Sequence, residues 1–162
     1  ADTVRHDTVV HIAMTGPGDP PKVVSFSGAT VKGMEWDEQS VARVIRHALK
    51  EGMGLGLHRE RTVADGVSVS KKAFETLVKE RAQTSRLFYL HPKGNDIRTL
   101  AFPESVTFVC GDHIGLSRKT EKLLDRLGAQ RLMLGPKVLF ASHCIILVHN
   151  DLDRQASHAN AV

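Results

Sequence analysis

The chain has 162 residues, of which 41% are hydrophobic, 25% charged and 5% aromatic, with a formal net charge of +4. These values fit one globular domain with an aliphatic core and exclude a low-complexity chain, and no apolar run approaches the roughly 20 residues of a membrane-spanning helix. A sequence pI of 9.3 permits a polyanionic partner without establishing one. The two cysteines, Cys110 and Cys144, are too few for a disulfide framework; in apolar contexts they read as reduced, buried thiols of a cytoplasmic protein.

Residues 8–15, TVVHIAMT, predict a β-branched strand closed by a Gly/Pro loop, and residues 22–26 a second strand, paired as a hairpin or set in a mixed sheet. Residues 37–52 predict a helix. Val41, Val44, Ile45, Ala48 and Leu49 form one apolar stripe, Asp37 caps the start and Gly52 stops it. Residues 53–65, with two glycines and several charges, read as a mobile surface loop, and residues 67–69 as a short strand. A second helix is expected over 70–84 with Ser70 as its cap, then a buried strand over 86–91 and a turn at 92–95. Residues 106–110 give another strand, Ser117 caps a third helix stopped by Gly128, and 130–134 give the last strand. A Gly-Pro loop (135–137), a small-residue turn at Ala141 and Ser142, and an apolar segment ending in Asn and Asp complete the pattern. The strands are continuous apolar runs, so the expectation is an α/β fold with a mostly parallel sheet covered by helices on both faces. Residues 1–154 read as one domain and 155–162 as a frayed tail.

In such sheets ligands bind at the carboxyl ends of the strands. Three bends occupy those ends: Leu90 onward, 111–115 and 134–139, each with glycine, proline or small residues. Glycine admits a ligand close to the backbone, whose N–H and C=O groups can read an adenine edge and a ribose. That suits a cofactor carrying a sulfonium and no phosphate. The phosphate-binding patterns G-x-x-x-x-G-K-[ST] and G-x-G-x-x-G after a strand are missing. Nine histidines invite a metal, with Asp112, His113, His143, Cys144 and His149 near the bends, but no H-E-x-x-H or paired C-x-x-C accompanies them. Cys144 is a candidate nucleophile with His143 or His113 as base, or a packed thiol lining a pocket.

The motifs GDHIG (111–115), LGP (134–136), ASHC (141–144) and VHNDLD (148–153), with YLHPKG (89–94) and RHDTVVH (5–11), resemble in order and spacing the archaeal tRNA pseudouridine-54 N1-methyltransferases and their bacterial relatives, of the SPOUT class. The resemblance runs from Arg5 to Arg154, and PKVLFAS (136–142) looks closer to the bacterial branch. It implies a C-terminal trefoil knot, a homodimer and S-adenosyl-L-methionine as cofactor, while the missing ligand patterns above argue for no metal. Carried over by position, cofactor contacts fall on Leu90, Gly111, Leu134, Gly135, Pro136, Lys137, Val138, Leu139 and Cys144. Asp7, in the Arg-x-Asp pattern, faces the target base and accepts or orients the N1 proton. Arg5 and Lys137, with Arg59, Arg61 and Lys93 near by, are candidates for RNA phosphates. Family members carry a first strand and helix ahead of the Arg-x-Asp pattern, whereas six residues precede Asp7 here. The function expected is methyl transfer to N1 of pseudouridine in tRNA. The alternatives are another RNA such as rRNA, or a non-catalytic RNA-binding protein that keeps the fold.

Overall fold

The computed structural model describes residues 4–159 apart from Pro17, Trp36 and His113. The chain divides into two compact units, Ala1–Leu77 and Val78–Val162.

The first unit holds strands β1 (Val9–Met14) and β2 (Lys22–Ser27), helix α1 (Glu38–Glu51), and strands β3 (Glu60–Ala64) and β4 (Val67–Ser70). The strands form a four-stranded sheet in the order β1-β2-β4-β3. All its pairings are antiparallel, with Ile12 opposite Val24 and Val24 opposite Val69. The Asp37 carboxylate accepts from the Ser40 amide at 2.9 Å and starts α1, and Gly52 closes it. The stripe of α1 buries Ala48 against Val24, Val67 and Val69, with Val44, Leu49 and Phe26 at the margin.

Two expectations fail here for physical reasons. Residues 53–65 are not loop throughout, because Glu60–Ala64 is a strand on the sheet's edge, where charged side chains such as Glu60 and Arg61 are tolerated. Ser70 does not cap a helix. It ends β4, and the backbone of Lys71 still pairs with Arg59 and His58, so helix α2 (Phe74–Thr84) begins only after that ladder ends.

Lys22 and Lys71 are buried, and both ammonium groups converge on Asp19. Lys22 Nζ donates to its carboxylate at 3.1 Å, Lys71 Nζ donates to the other oxygen, and the Gly54 amide donates at 3.2 Å. Burying two cations requires such a shared anion. Through Asp19 the Gly/Pro loop is fastened to both β2 and the end of β4.

α2 spans the division between the units. The second unit holds β5 (Arg86–Asp96), a 3-10 turn (Ile97–Thr99), β6 (Val106–Val109), α3 (Arg118–Arg126), β7 (Gln130–Met133) and α4 (Ala141–Ala159). Its three strands are ordered β6-β5-β7 and all pair in parallel. Parallel pairing is thus confined to this unit, and the expectation of one mostly parallel sheet is corrected. The β-branched strands read at the front of the chain build an antiparallel sheet of their own.

The core around β5 and β7 comprises Ile97, Leu132 and Val148, ringed by Leu90, Phe102, Phe108, Leu134 and Leu152. Phe88, fully buried, stacks on Phe108 at 5.5 Å and meets Phe102 edge-on at 5.0 Å. The small-residue turn expected at Ala141 and Ser142 is the first turn of α4. The tail expected from Gln155 is helical as far as Ala159, and residues 160–162 lie outside the described part. Gln155 is tied in: its amide donates to Leu100 O at 2.9 Å and its carbonyl accepts from Phe102 N at 3.1 Å. Among the described residues no helix is long and apolar enough to cross a membrane.

Candidate functional site

The three bends singled out in the sequence leave the same edge of the parallel sheet. Tyr89 lies opposite Val109 on β6 and Arg131 on β7, so the chain segments beyond Leu90, Val109 and Met133 all emerge at the carboxyl ends. Parallel strands force this coincidence, since their ends point one way.

Each bend has its own construction. Beyond Leu90, β5 does not turn away at Pro92. It bulges, and the pairing with β7 resumes at Asn95 opposite Leu132 and Asp96 opposite Met133. Four residues, His91 to Gly94, are thereby lifted out of the ladder. Inside the bulge the Lys93 amide donates to His91 Nδ1 at 3.0 Å.

The bend after β6 is a tight turn. Asp112 bridges Gly115, whose amide donates to Asp112 O at 2.9 Å, while the Ile114 amide donates to Asp112 Oδ1 at 2.8 Å. Gly111 lies so close beneath it that a Cβ would come within 2.5 Å of the Gly115 carbonyl carbon. Only glycine allows the chain to fold back there. Asp112 therefore caps the turn, and α3 has a separate cap in Ser117, whose hydroxyl accepts from Thr120 N at 3.1 Å. His113 lies outside the described residues, so its candidacy as base or ligand has no structural counterpart.

The bend after β7 carries Gly135 at φ +152°, a conformation side-chain-bearing residues rarely adopt, with open space where a Cβ would stand. Leu134 joins the core, but Pro136, Lys137, Val138, Leu139 and Phe140 are exposed, Val138 by 89% and Phe140 by 78%. Phe140 O accepts the Cys144 amide at 3.0 Å and so begins α4. The Cys144 thiol faces inward against Leu139 O at 3.8 Å. Burial pushes its pKa up, which keeps it a neutral thiol at pH 7. Cys110 retains solvent-facing surface, yet the packing around its sulfur, with Cys144 near by, pushes it up to about 11. His143 is exposed, with its ring edge-on to Phe140 at 5.9 Å. Among the described residues no three His, Cys, Asp or Glu side chains gather as a metal ion needs.

Sequence reasoning missed the residues that brace this edge. Tyr89, the chain's single tyrosine, is fully buried, and its hydroxyl donates to Asp125 Oδ1 at 2.7 Å. Arg131 Nε donates to the same hydroxyl at 2.6 Å, and its Nη2 to Asp125 Oδ2 at 2.8 Å. The triad joins β5, α3 and β7 immediately below the bends. Burial, then the Asp125 carboxylate, raise the Tyr89 pKa, while its hydroxyl and Arg131 lower that of Asp125. A lone Tyr in an aliphatic strand was the available signal, since a buried hydroxyl demands partners.

Arg5 and Asp7 belong to the first unit. Arg5 Nε and Nη2 grip the two Asp7 oxygens at 3.2 and 2.9 Å, and Thr8 Oγ1 donates to Oδ1 at 3.1 Å. The Arg5 guanidinium holds the exposed Asp7 carboxyl below the usual carboxylate range. Gly28 positions this segment: its amide donates to Thr8 O at 2.9 Å, and a Cβ there would overlap the Arg5 carbonyl. Of the other basic candidates, Lys93 and Lys137 are exposed, whereas Arg61 is paired with Glu51 at 4.0 Å.

Known proteins agree in sequence and in fold. A family model described as "Putative SAM-dependent RNA methyltransferase" matches residues 1–157. A "Putative pseudouridine methyltransferase" of Photobacterium profundum is 36% identical over 94% of this chain and 78% of its own length. A "tRNA (pseudouridine(54)-N(1))-methyltransferase" of Methanococcus maripaludis strain C6 is 38% identical over 93% of this chain and 76% of its own. In three dimensions the chain resembles Nep1 of Archaeoglobus fulgidus bound to S-adenosylhomocysteine, with a TM-score of 0.64 over 97% of this chain and 66% of that one. At 12% identity this is a likeness of fold.

Proposed function

The chain belongs to the SAM-dependent RNA methyltransferase family, and we propose that it transfers the methyl group of S-adenosylmethionine to N1 of a pseudouridine in tRNA. The observation that carries this reading is the emergence of three glycine-bearing bends at one edge of a parallel sheet. The residues present suit the cofactor. Open space stands beside Gly135, backbone donors and acceptors line the turn at 111–115, and exposed aliphatic side chains can cover an adenosyl group. When bound, the cofactor supplies an electrophilic methyl on a sulfonium.

The chain's own residues have positioning to do. Leu90, Gly111, Leu134, Gly135, Pro136, Lys137, Val138, Leu139 and Cys144 hold the cofactor. Cys144 does so as a packed contact, because a neutral buried thiol is a poor nucleophile. Asp7, kept ionised by Arg5, accepts a hydrogen bond from N1–H and fixes the base's approach. Its lowered proton affinity favours orienting over keeping that proton, which passes to bulk water as the nitrogen–methyl bond forms and the thioether leaves, so alignment of methyl and nitrogen provides most of the rate enhancement. Arg5 and Lys137 meet RNA phosphates.

The reading extends to assembly. The fold is of the SPOUT class, and the segment after Phe140 threads as a trefoil knot. Helix α4 turns Cys144, Val148 and Leu152 inward while Ile145, Ile146 and Leu147 remain exposed, Ile146 by 64%. A helix apolar on both faces fits burial on both faces, so a second copy covers the outer one in a homodimer.

The test pairs calorimetry with mass spectrometry. S-adenosylmethionine should bind the isolated protein, and tRNA containing pseudouridine should gain one methyl mass at that nucleotide. Absence of cofactor binding defeats the proposal, and binding without transfer to any RNA leaves a non-catalytic RNA-binding protein.

A further inference from the structure

We propose that the solvent face of α3 is a second RNA-anchoring surface, gripping backbone phosphates; the inference rests on the RNA-directed reading above. A cleft of about 590 Å³ runs along this helix, lined by Arg118, Lys119, Lys122, Asp125 and Arg126. Every lining side chain is charged, and four of the five are cationic. The single carboxylate is already engaged, since both Asp125 oxygens accept hydrogen bonds from Tyr89 and Arg131. The other acid of the helix, Glu121, turns to His91, its Oε1 lying 3.7 Å from Nε2. Among the described residues no ion pair involves Arg118, Lys119, Lys122 or Arg126.

Helix stability explains only Arg126, a cation in the last turn where the macrodipole favours one. Arg118 and Lys119 sit in the first turn, where the macrodipole disfavours cations. Arg118, Lys122 and Arg126 recur every fourth residue, which sets like charges beside one another at each turn of about 5.4 Å. Arg126 Nε donates to Lys122 O at 3.3 Å, which lays its guanidinium along the same face. With both acids engaged by other partners and the cations left to solvent, the face carries a stripe suited to a regular polyanion. A protein partner would need an aromatic or aliphatic anchor residue, and none lines this face, whose apolar surface comes only from the methylene stems of charged side chains. RNA backbone is therefore the occupant the chemistry favours.

The experiment compares the wild-type chain with R118Q/K119Q/K122Q/R126Q and with R118K/R126K, by filter binding to tRNA over a salt series without cofactor. The fourfold variant should bind at least about tenfold more weakly, its salt slope shallower by roughly 0.7–0.9 for each phosphate it no longer neutralises. The charge-conserving variant should bind as wild type does, and cofactor affinity should be unchanged in both. Melting curves confirm folding; if the fourfold variant unfolds, K119Q/K122Q gives the same comparison with a smaller loss. Unchanged tRNA affinity and slope overturn the proposal, as does a wild-type chain with no affinity for RNA. Weakening seen toward vesicles of anionic phospholipid but not toward tRNA overturns it too. Loss of tRNA affinity in the variant, with a wild type that transfers no methyl, defeats the catalytic reading and upholds this one; transfer with undiminished variant affinity does the reverse.

Discussion

Asp7 and Cys144 carry opposite expectations at the residue scale. Asp7 is exposed and held ionised by Arg5, so it stands ready to accept a hydrogen bond. Asp7→Ala should lower methyl transfer by about 10²-fold while leaving S-adenosylmethionine affinity intact, measured by single-turnover transfer and calorimetry. Cys144→Ser should retain transfer within a few-fold in the same assay, because a thiol pushed upward by burial is a packing group and not an attacking one. Asp19 gives a pH-dependent outcome. Its carboxyl is held well below the usual range by Lys71 and Lys22, so the unfolded chain, with a carboxyl near 3.8, binds the proton more tightly. The stabilisation is complete above that value and is lost as pH falls through and below it. The urea midpoint of the wild type should therefore fall more steeply from about pH 5 to about pH 2 than that of Asp19→Asn, which starts lower because two buried ammonium groups lack an anion.

At the scale of single elements, β7 and the bend beyond it combine packing and backbone demands. Leu132 is fully buried in the core shared by β5 and α4, and Leu132→Ala should cost about 2–5 kcal/mol in chemical denaturation. The motifs of this edge were readable as residues, since glycine at 111 and 135 announces close backbone approach or unusual φ, and the structure has both. Asp37, Gly52 and Ser117 were readable as helix punctuation for the same local reason. What could not be read depended on distant partners. Glu60–Ala64 becomes a strand because β4 pairs with it, and the helix cannot begin at Ser70 because Lys71 pairs with His58 and Arg59. Pro92 looked like a stop, yet β5 resumes its ladder beyond it, because the extra residues bulge outward without ending the pairing. The Tyr89–Asp125–Arg131 triad assembles from three elements, and no spacing in the sequence encodes it.

Across the whole molecule, the proposed homodimer would tie methyl transfer to assembly through α4. Ile146→Asp should shift the chain to a monomer in light scattering and abolish transfer, while thermal melting shows the fold retained, since Ile146 is 64% exposed. The class of fold was legible from the later strands, whose unbroken apolar runs do form a parallel sheet. The separation into an antiparallel first unit and a parallel second one was not, because apolar strands carry no mark of their neighbours' direction. The excursion from His91 to Gly94 has a consequence for how this edge can diversify. Both its feet, Leu90 and Asn95, stand opposite the same residue, Leu132. A detour that leaves and rejoins the ladder at one rung can vary at His91, Pro92 and Lys93 without moving the strands, whereas Gly94, where a Cβ would come within 2.5 Å of Leu132 N, has to stay glycine for β7 to keep its place.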